Sequence, residues 1–199
     1  LKLLNKILRH DILNNISVTL MSLEMLNTKD TKLKDKATKA MNKSVDLINK
    51  VREFENDISS DNDISTYNLK EIIDEVVKNY DVNINLHGSF NIKVKNTFSS
   101  VIDNIVRNAV VHGKVDTIDI FFSKKNEHYE LKIADNGRGI PDDNKEKVFD
   151  ENFSFGDNKG SGLGLYIVKE LLKRSNGDIK VEDNKPRGTI FIISIKSDK

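Results

Sequence analysis

Cysteine and tryptophan are absent from this 199-residue chain, and proline occurs only at Pro141 and Pro186. Without cysteine there can be no disulfide framework and no thiolate metal site, which leaves the redox compartment open. Neither sign of charge is in excess. The formal net charge of +1 supplies no basic field for nucleic acid and no acidic one for cationic partners. No apolar run approaches the roughly 20 residues that a membrane-spanning helix needs; the longest, around Ile190–Ile195, is strand-sized. No signal peptide opens the chain, and its start at Leu1 rather than Met leaves room for a longer parent. The expectation is a cytoplasmic fragment without membrane contact or nucleic-acid partner, whose parent could carry a membrane anchor.

Glycine is missing in one region only. All ten glycines lie between Gly88 and Gly188, so residues 1–87 lack both of the strongest breakers of regular structure and read as helical. Leu1, Leu4, Leu8, Ile12, Ile16, Leu20, Leu23 and Leu26 form one stripe on a first helix. Asn27-Thr28-Lys29-Asp30 is a polar turn, and Thr31 can cap the next helix. That second helix carries Leu33, Ala37, Ala40, Ser44, Leu47, Val51, Phe54 and Ile58, with Met41, Val45 and Ile48 beside them. The pair reads as an antiparallel hairpin with a coiled-coil-like seam. Two helices have too little interior to bury both stripes, which predicts a homodimer closing a four-helix bundle.

The polar run Asn56–Asp63 resembles a calcium loop superficially, but it lacks the glycine and the closing glutamate at loop spacing. It reads as part of a linker. The domain reading is therefore a helical hairpin over 1–58, a linker over 59–66 and a second domain over 67–199. In that domain, helical patterns over Leu69–Tyr80, Phe98–His112 and Gly162–Ser175 mix with strands at Val82–Leu86, Phe90–Val94, Ile118–Ser123, Tyr129–Ala134, Ile179–Glu182 and Thr189–Ile195. Without strict βαβ alternation, this order predicts an α+β chain whose second domain is an α/β sandwich: one mixed sheet with helices on one face.

Several segments carry chemistry. His10 projects nearly opposite the first helix's apolar stripe, with Asp11 beside it and Asn14 one turn on. A solvent-facing histidine without a role is the bland alternative for such a residue alone. A neighbouring carboxylate, however, can accept the Nδ1 proton and leave Nε2 as a nucleophile, and an amide four residues on can position a water. Asn104 and Asn108 point the same way from one helix, and their carbonyl oxygens suit magnesium, a hard ion that keeps phosphate and water ligands. An ordinary pair of surface amides is the competing reading. His112, at that helix's end, can stack on a purine or cap the helix dipole.

Asp135 ends a strand just before Asn136-Gly137-Arg138-Gly139-Ile140. A carboxylate there can accept from an exocyclic amine and choose adenine over guanine, while the glycines permit close backbone approach. Gly160-Ser161-Gly162-Leu163-Gly164 precedes a helix whose N-terminus can meet phosphates. It is neither a Walker A loop nor a Rossmann turn. Lys159 is a candidate phosphate contact. Phe149, Phe153 and Phe155 could hinge a lid, although core packing accounts for one or two of them equally well.

These residues, in this order, closely resemble the sensor histidine kinases of two-component signalling over nearly the whole chain. His10-Asp11 with Asn14 resembles the phospho-acceptor motif, and Asn104 and Asn108 the N box. Asp135, Gly137 and Gly139 resemble the first glycine box, Phe149–Phe155 the F box, Gly160, Gly162 and Gly164 the second glycine box, and Gly188-Thr189 a weaker third. The resemblance implies a Bergerat-type (GHKL) ATP-binding fold, with Ile140, Leu163 and Thr189 joining the glycines and Asp135 around ATP and Mg2+. It also implies a response regulator receiver domain as partner. Where the ATPase branches of this fold carry a glutamate that activates water, this chain has Asn104, which suits a kinase better than a clamp ATPase. Two departures are Arg187, where a glycine often precedes Gly188, and Val111, where a phosphate-contacting lysine is common. The expectation is an ATP-dependent histidine autokinase with His10 as acceptor. The rivals are an ATPase clamp and a nucleotide-binding signalling scaffold without kinase activity.

Overall fold

The computed structural model describes residues 12–25, 32–41, 44, 64–88, 91–95, 97–125, 128–151, 153–155 and 162–196. His10, Asp11, Lys159 and Gly160 lie outside the described residues. The chain divides into two compact units, Leu1–Asp61 and Asn62–Lys199.

In the first unit, helix α1 spans Leu13–Glu24 and helix α2 includes residues 32–41. The side chains that are buried there are small: Thr19 and Ser22 on α1, Ala37 and Ala40 on α2, and Ser44 beyond it. Hydroxyls can be buried in this way because each returns its proton to the carbonyl four residues earlier, Thr19 to Asn15, Ser22 to Val18 and Ser44 to Ala40. The α1 face differs from the expected seam. Ile16 and Leu20, members of the apolar stripe, are exposed, together with Leu13 and Met21. Among the described residues, the buried side chains of this unit are thus small, and large apolar ones of α1 face out.

The second unit opens with strand β1, Ile64–Asn68, antiparallel to β3, Asn91–Lys95. This corrects the expected linker at its far end, because Ile64, Ser65 and Thr66 are strand. Ser65 and Thr66 are exposed, so β1 is held by ladder hydrogen bonds to β3 and shows no apolar alternation. Asn68 ends β1 and caps helix α3, Leu69–Val77, its side chain accepting from Lys70 N at 2.9 Å. Leu69, Ile72, Ile73 and Val76 form α3's buried face at i, i+3, i+4 and i+7.

A five-stranded mixed sheet supports the rest. Its strands are β2 (Asn83–His87), β4 (Thr117–Lys125), β5 (His128–Asp135), β6 (Gly177–Asp183) and β7 (Thr189–Lys196), ordered β2-β4-β5-β7-β6. Only the β2–β4 pair is parallel. Ile118, Ile120, Leu131, Ile133, Phe191, Ile193 and Ile195 alternate along β4, β5 and β7 onto one buried face. Helix α4 (Phe98–Asn108) buries Phe98, Val101, Ile102, Ile105 and Val106, and helix α6 (Gly164–Arg174) buries Ile167, Val168, Leu171 and Leu172. A short helix α5, Asp142–Lys145, and a 3-10 turn, Lys147–Phe149, were not expected from the sequence. The opposite sheet face is polar, and Ile192 is covered there between its register neighbours Lys132 and Lys180.

Candidate functional site

The site grows from the ends of α4, β5 and β7 and the start of α6. Asp135 is the last residue of β5 and only 3% exposed. Its Oδ1 accepts from Gly137 N at 2.8 Å and from Thr189 N at 3.2 Å. Burial pushes its carboxyl above the usual carboxylate range, and the bonds from Gly137 and Thr189 offset part of that rise. The backbone carbonyl of Asp135 accepts from Asn184 Nδ2 at 2.8 Å, which ties the β6–β7 hairpin to the end of β5.

Glycine is required where these chains meet. Gly188 has φ +117, and a Cβ there would fall 1.9 Å from the Asp135 carbonyl oxygen. At Gly137 a Cβ would lie 2.8 Å from the Gly113 carbonyl oxygen and 2.9 Å from Asp135 Oδ1. The segment Asp135–Gly139 therefore fits between β7 and the end of the α4 region only without side chains at those points. Nearby, Asn136 Nδ2 donates to Asp116 Oδ1 at 2.6 Å, and this bond is the main reason the Asp116 carboxyl lies below its usual range.

Helix α4 passes into a π turn at Ala109–Gly113, which contains the partly exposed His112. The Gly113 carbonyl accepts from Arg138 N at 3.2 Å, joining that turn to the loop after Asp135. At the other end of the turn, Asn108 and Asn104 approach the start of α6. A Cβ on Gly164 would lie 3.1 Å from Asn104 Oδ1, 3.8 Å from Asn108 Nδ2 and 3.9 Å from an Arg107 Nη2. The asparagine segment and the second glycine segment thus meet, and residues 109–113 connect them to the Asp135 cluster.

The two asparagines are not equivalent. Asn104 is 4% exposed; its Nδ2 donates to the Ser100 carbonyl and its Oδ1 accepts from Arg107 Nη2. Asn108 is partly exposed and is the more accessible of the pair. The other expected site residues divide similarly. Gly162 has φ +69 just before α6, and Leu163 is 1% exposed, so it anchors the helix start in the core. Gly139, at φ +78, packs against Gly188, while Ile140 follows it partly buried. Thr189 is buried and spends its backbone N–H on Asp135. Phe149 belongs to the core, edge-on to Phe191 at 6.4 Å, whereas Phe153 and Phe155 lie against each other at 6.1 Å. Asn14 is an exposed residue of α1.

Two contributors had no role in the sequence reading. Arg107 lies inside the Asn104–Asn108 segment, and its signal was a cation between two amides on one helix. Asn184 sits in a turn whose composition, Asp-Asn-Lys-Pro, announces only a turn.

A two-layer unit of this topology, with asparagines, a buried strand-end aspartate and glycines converging at one edge, defines the class of nucleotide-binding ATPase-like domains. The family model of the histidine kinase-, DNA gyrase B- and HSP90-like ATPases matches residues 93–199, more than half of the chain, and the chain belongs to that family. Its curated relatives include sensor histidine kinases. The sensor histidine kinase YvrG of Bacillus subtilis is 34% identical over 104 residues, covering 50% of this chain and 18% of YvrG. The sensor protein CiaH of Streptococcus pneumoniae is 33% identical over 107 residues, covering 51% of this chain and 23% of CiaH. These matches span between 18% and 23% of the length of those relatives.

Solved structures share the fold. The Acinetobacter baumannii histidine kinase AdeS superposes with a TM-score of 0.72 at 18% identity, covering 96% of this chain and 98% of that one. The histidine kinase ThkA, solved in complex with the response regulator protein TrrA, gives 0.69 at 22% identity, covering 96% and 60%. Among the described residues, no helix is long and apolar enough to cross a membrane.

Proposed function

We propose that the chain is the autokinase portion of a sensor histidine kinase: it binds Mg-ATP, phosphorylates His10 and passes the phosphoryl group to an aspartate on a response regulator. The observation that carries this reading is Asn104, in a family whose model spans residues 93–199. Asn104 is an amide, buried, with its polar atoms on Ser100 and Arg107. An amide cannot take a proton from water, so the γ-phosphoryl is kept for a histidine rather than lost to hydrolysis.

Asp135 would accept from the adenine amine, with Gly137 and Gly139 allowing the base to approach the backbone. The N-terminus of α6 at Gly164, preceded by Gly160 and Gly162, would face the phosphates. Asn108 and, behind it, Asn104 offer the amide oxygens that a magnesium ion accepts; no group of three or more acidic, histidine or cysteine side chains competes for it among the described residues. Such a sparse protein donor set fits magnesium, which completes its shell with water and phosphate oxygens. When bound, the metal neutralises charge on the phosphates.

In the transfer, the bond from the γ-phosphorus to its bridging oxygen breaks and a bond to His10 Nε2 forms, with ADP leaving. Asp11 holds the Nδ1 proton and directs Nε2 outward. Asn14, exposed on α1, would position water for the reverse, dephosphorylating reaction. The outward-facing Leu13, Ile16 and Leu20 support a homodimer through the helical unit. The regulator as partner is supported by the ThkA complex with TrrA.

Incubating the purified chain with γ-labelled ATP tests the reading. The expected product is protein carrying an acid-labile label that is lost in His10→Ala and forms about 10²–10⁴-fold more slowly in Asp11→Asn. Steady phosphate release that survives His10→Ala, with no label on the wild type, would replace this reading with an ATPase.

A further inference from the structure

The nucleotide site has one cation whose surroundings the nucleotide reading does not explain. Val111 occupies the position where a phosphate-contacting lysine is common in the family that the chain resembles. Here that position is apolar and 48% exposed. Arg107 stands four residues earlier, in the last turn of α4, and Val111 lies in the π turn that continues it. Its Nη2 donates to Asn104 Oδ1 and lies 3.9 Å from the point where a Gly164 Cβ would be. The guanidinium is thus held on Asn104 beside the start of α6, the end of the site to which the phosphates are assigned.

A structural brace would account for the Asn104 bond but makes little use of the residue type. Guanidinium carries five N–H donors in a planar fork suited to phosphate oxygens. The contact seen engages Nη2 with a neutral amide oxygen, a weaker acceptor than a phosphate oxygen. Asn104 is 4% exposed, so the arrangement also holds its carbonyl oxygen close to a charge that a stronger anion would draw away.

We propose that Arg107 is the residue that grips the terminal phosphates of the nucleotide, supplying the cation that position 111 lacks. This rests on the nucleotide reading of the site. Arg107 exchanges Asn104 Oδ1 for phosphate oxygens, which would free the Asn104 carbonyl to help hold a magnesium ion. Affinity then depends on the number of phosphates through Arg107, while the adenine end depends on Asp135.

Equilibrium binding of ATP, ADP and adenosine to the full 199-residue chain, with magnesium, tests this. In Arg107→Gln, ATP affinity is expected to fall about tenfold to a hundredfold, ADP affinity less, and adenosine affinity by less than about twofold. Adding Val111→Lys to that variant is expected to restore most of the ATP preference, because it returns a cation one turn along. Equal loss for all three ligands would make Arg107 a brace and overturn the proposal, as would unchanged ATP affinity. If Arg107→Gln fails to fold, Arg107→Lys decides: retained preference for ATP over adenosine supports the phosphate role, and its equal loss for all three ligands sinks it. A wild-type chain that binds none of the three overturns the nucleotide reading itself, a result distinct from the others.

Discussion

Asp135 shows how one side chain is set up by its burial. Its carboxyl is raised from an ordinary value of 3.8, mainly by desolvation, while bonds from Gly137 and Thr189 hold the ionised form in place. Because the folded state binds the proton more tightly than the unfolded one, this group favours folding most at pH below 3.8. That contribution is lost as pH rises through the raised value. The proposed adenine contact would run the other way, since the ionised carboxylate is a stronger acceptor for an exocyclic amine than the neutral acid. Titrating downward through the raised value should therefore weaken ATP binding while this residue's effect on stability becomes more favourable. In Asp135→Asn this residue's share of the pH dependence of stability should be lost, and ATP affinity should fall about tenfold or more. Paired calorimetric titrations and thermal melts between pH 4 and pH 8, about four units, would check this; ATP affinity that stays flat with pH in the wild type would contradict it. The aspartate stood out in the sequence as a candidate because a carboxylate at a strand end before glycines is unusual. Its partner Thr189 was legible only beside Gly188, and Asn184 was not, because turn composition does not reveal what a turn side chain reaches.

At the scale of elements, the parts with strong period were readable and the parts held by backbone alone were not. Helix α4 was visible because Val101, Ile102, Ile105, Val106 and Ala109 recur on one face, and all of them are buried. Strands β4, β5 and β7 showed alternation for the same reason. By contrast, β1 pairs with β3 through its ladder while Ser65 and Thr66 face solvent, so no hydrophobic pattern marks it. Helix α5 buries no side chain, and it too left no periodic signal. The β6–β7 hairpin has a further requirement that composition hides. Asn184 N donates to the Gly188 carbonyl at 3.0 Å, and Gly188 then passes over the Asp135 carbonyl with no room for a Cβ. Gly188→Ala combines an unfavourable φ of +117 with a 1.9 Å clash against backbone. It should destabilise the second unit by about 3 kcal/mol or more, read as a lowered midpoint in urea unfolding. A midpoint within error of the wild type would show that the hairpin can move aside.

The second unit buries a core of large apolar side chains, while several described residues of the helical unit leave theirs exposed. In the second unit many large apolar side chains, Ile102, Ile118, Leu131 and Ile193 among them, are all but removed from water. Among the described residues of the first, the buried ones are threonine, serine and alanine, and Leu13 and Leu20 are more than half exposed, at 54% and 55%. A stripe of that kind costs solubility in a monomer and gains stability when a second copy covers it. In a two-fold symmetric interface each position occurs twice. Replacing Leu20 by aspartate therefore removes from the expected interface two leucines at about 1.5–3 kcal/mol each and adds two carboxylates to it. Leu20→Asp should weaken dimerisation by about 10²–10⁴-fold in sedimentation velocity, while ATP affinity, which depends on residues beyond Asn62, stays unchanged. The same substitution should abolish labelling of His10 only if transfer runs from one subunit to the other. A wild-type chain that sediments as a monomer at all concentrations would sink the dimer. A Leu20→Asp variant that associates as tightly as the wild type would instead exclude this stripe as the contact.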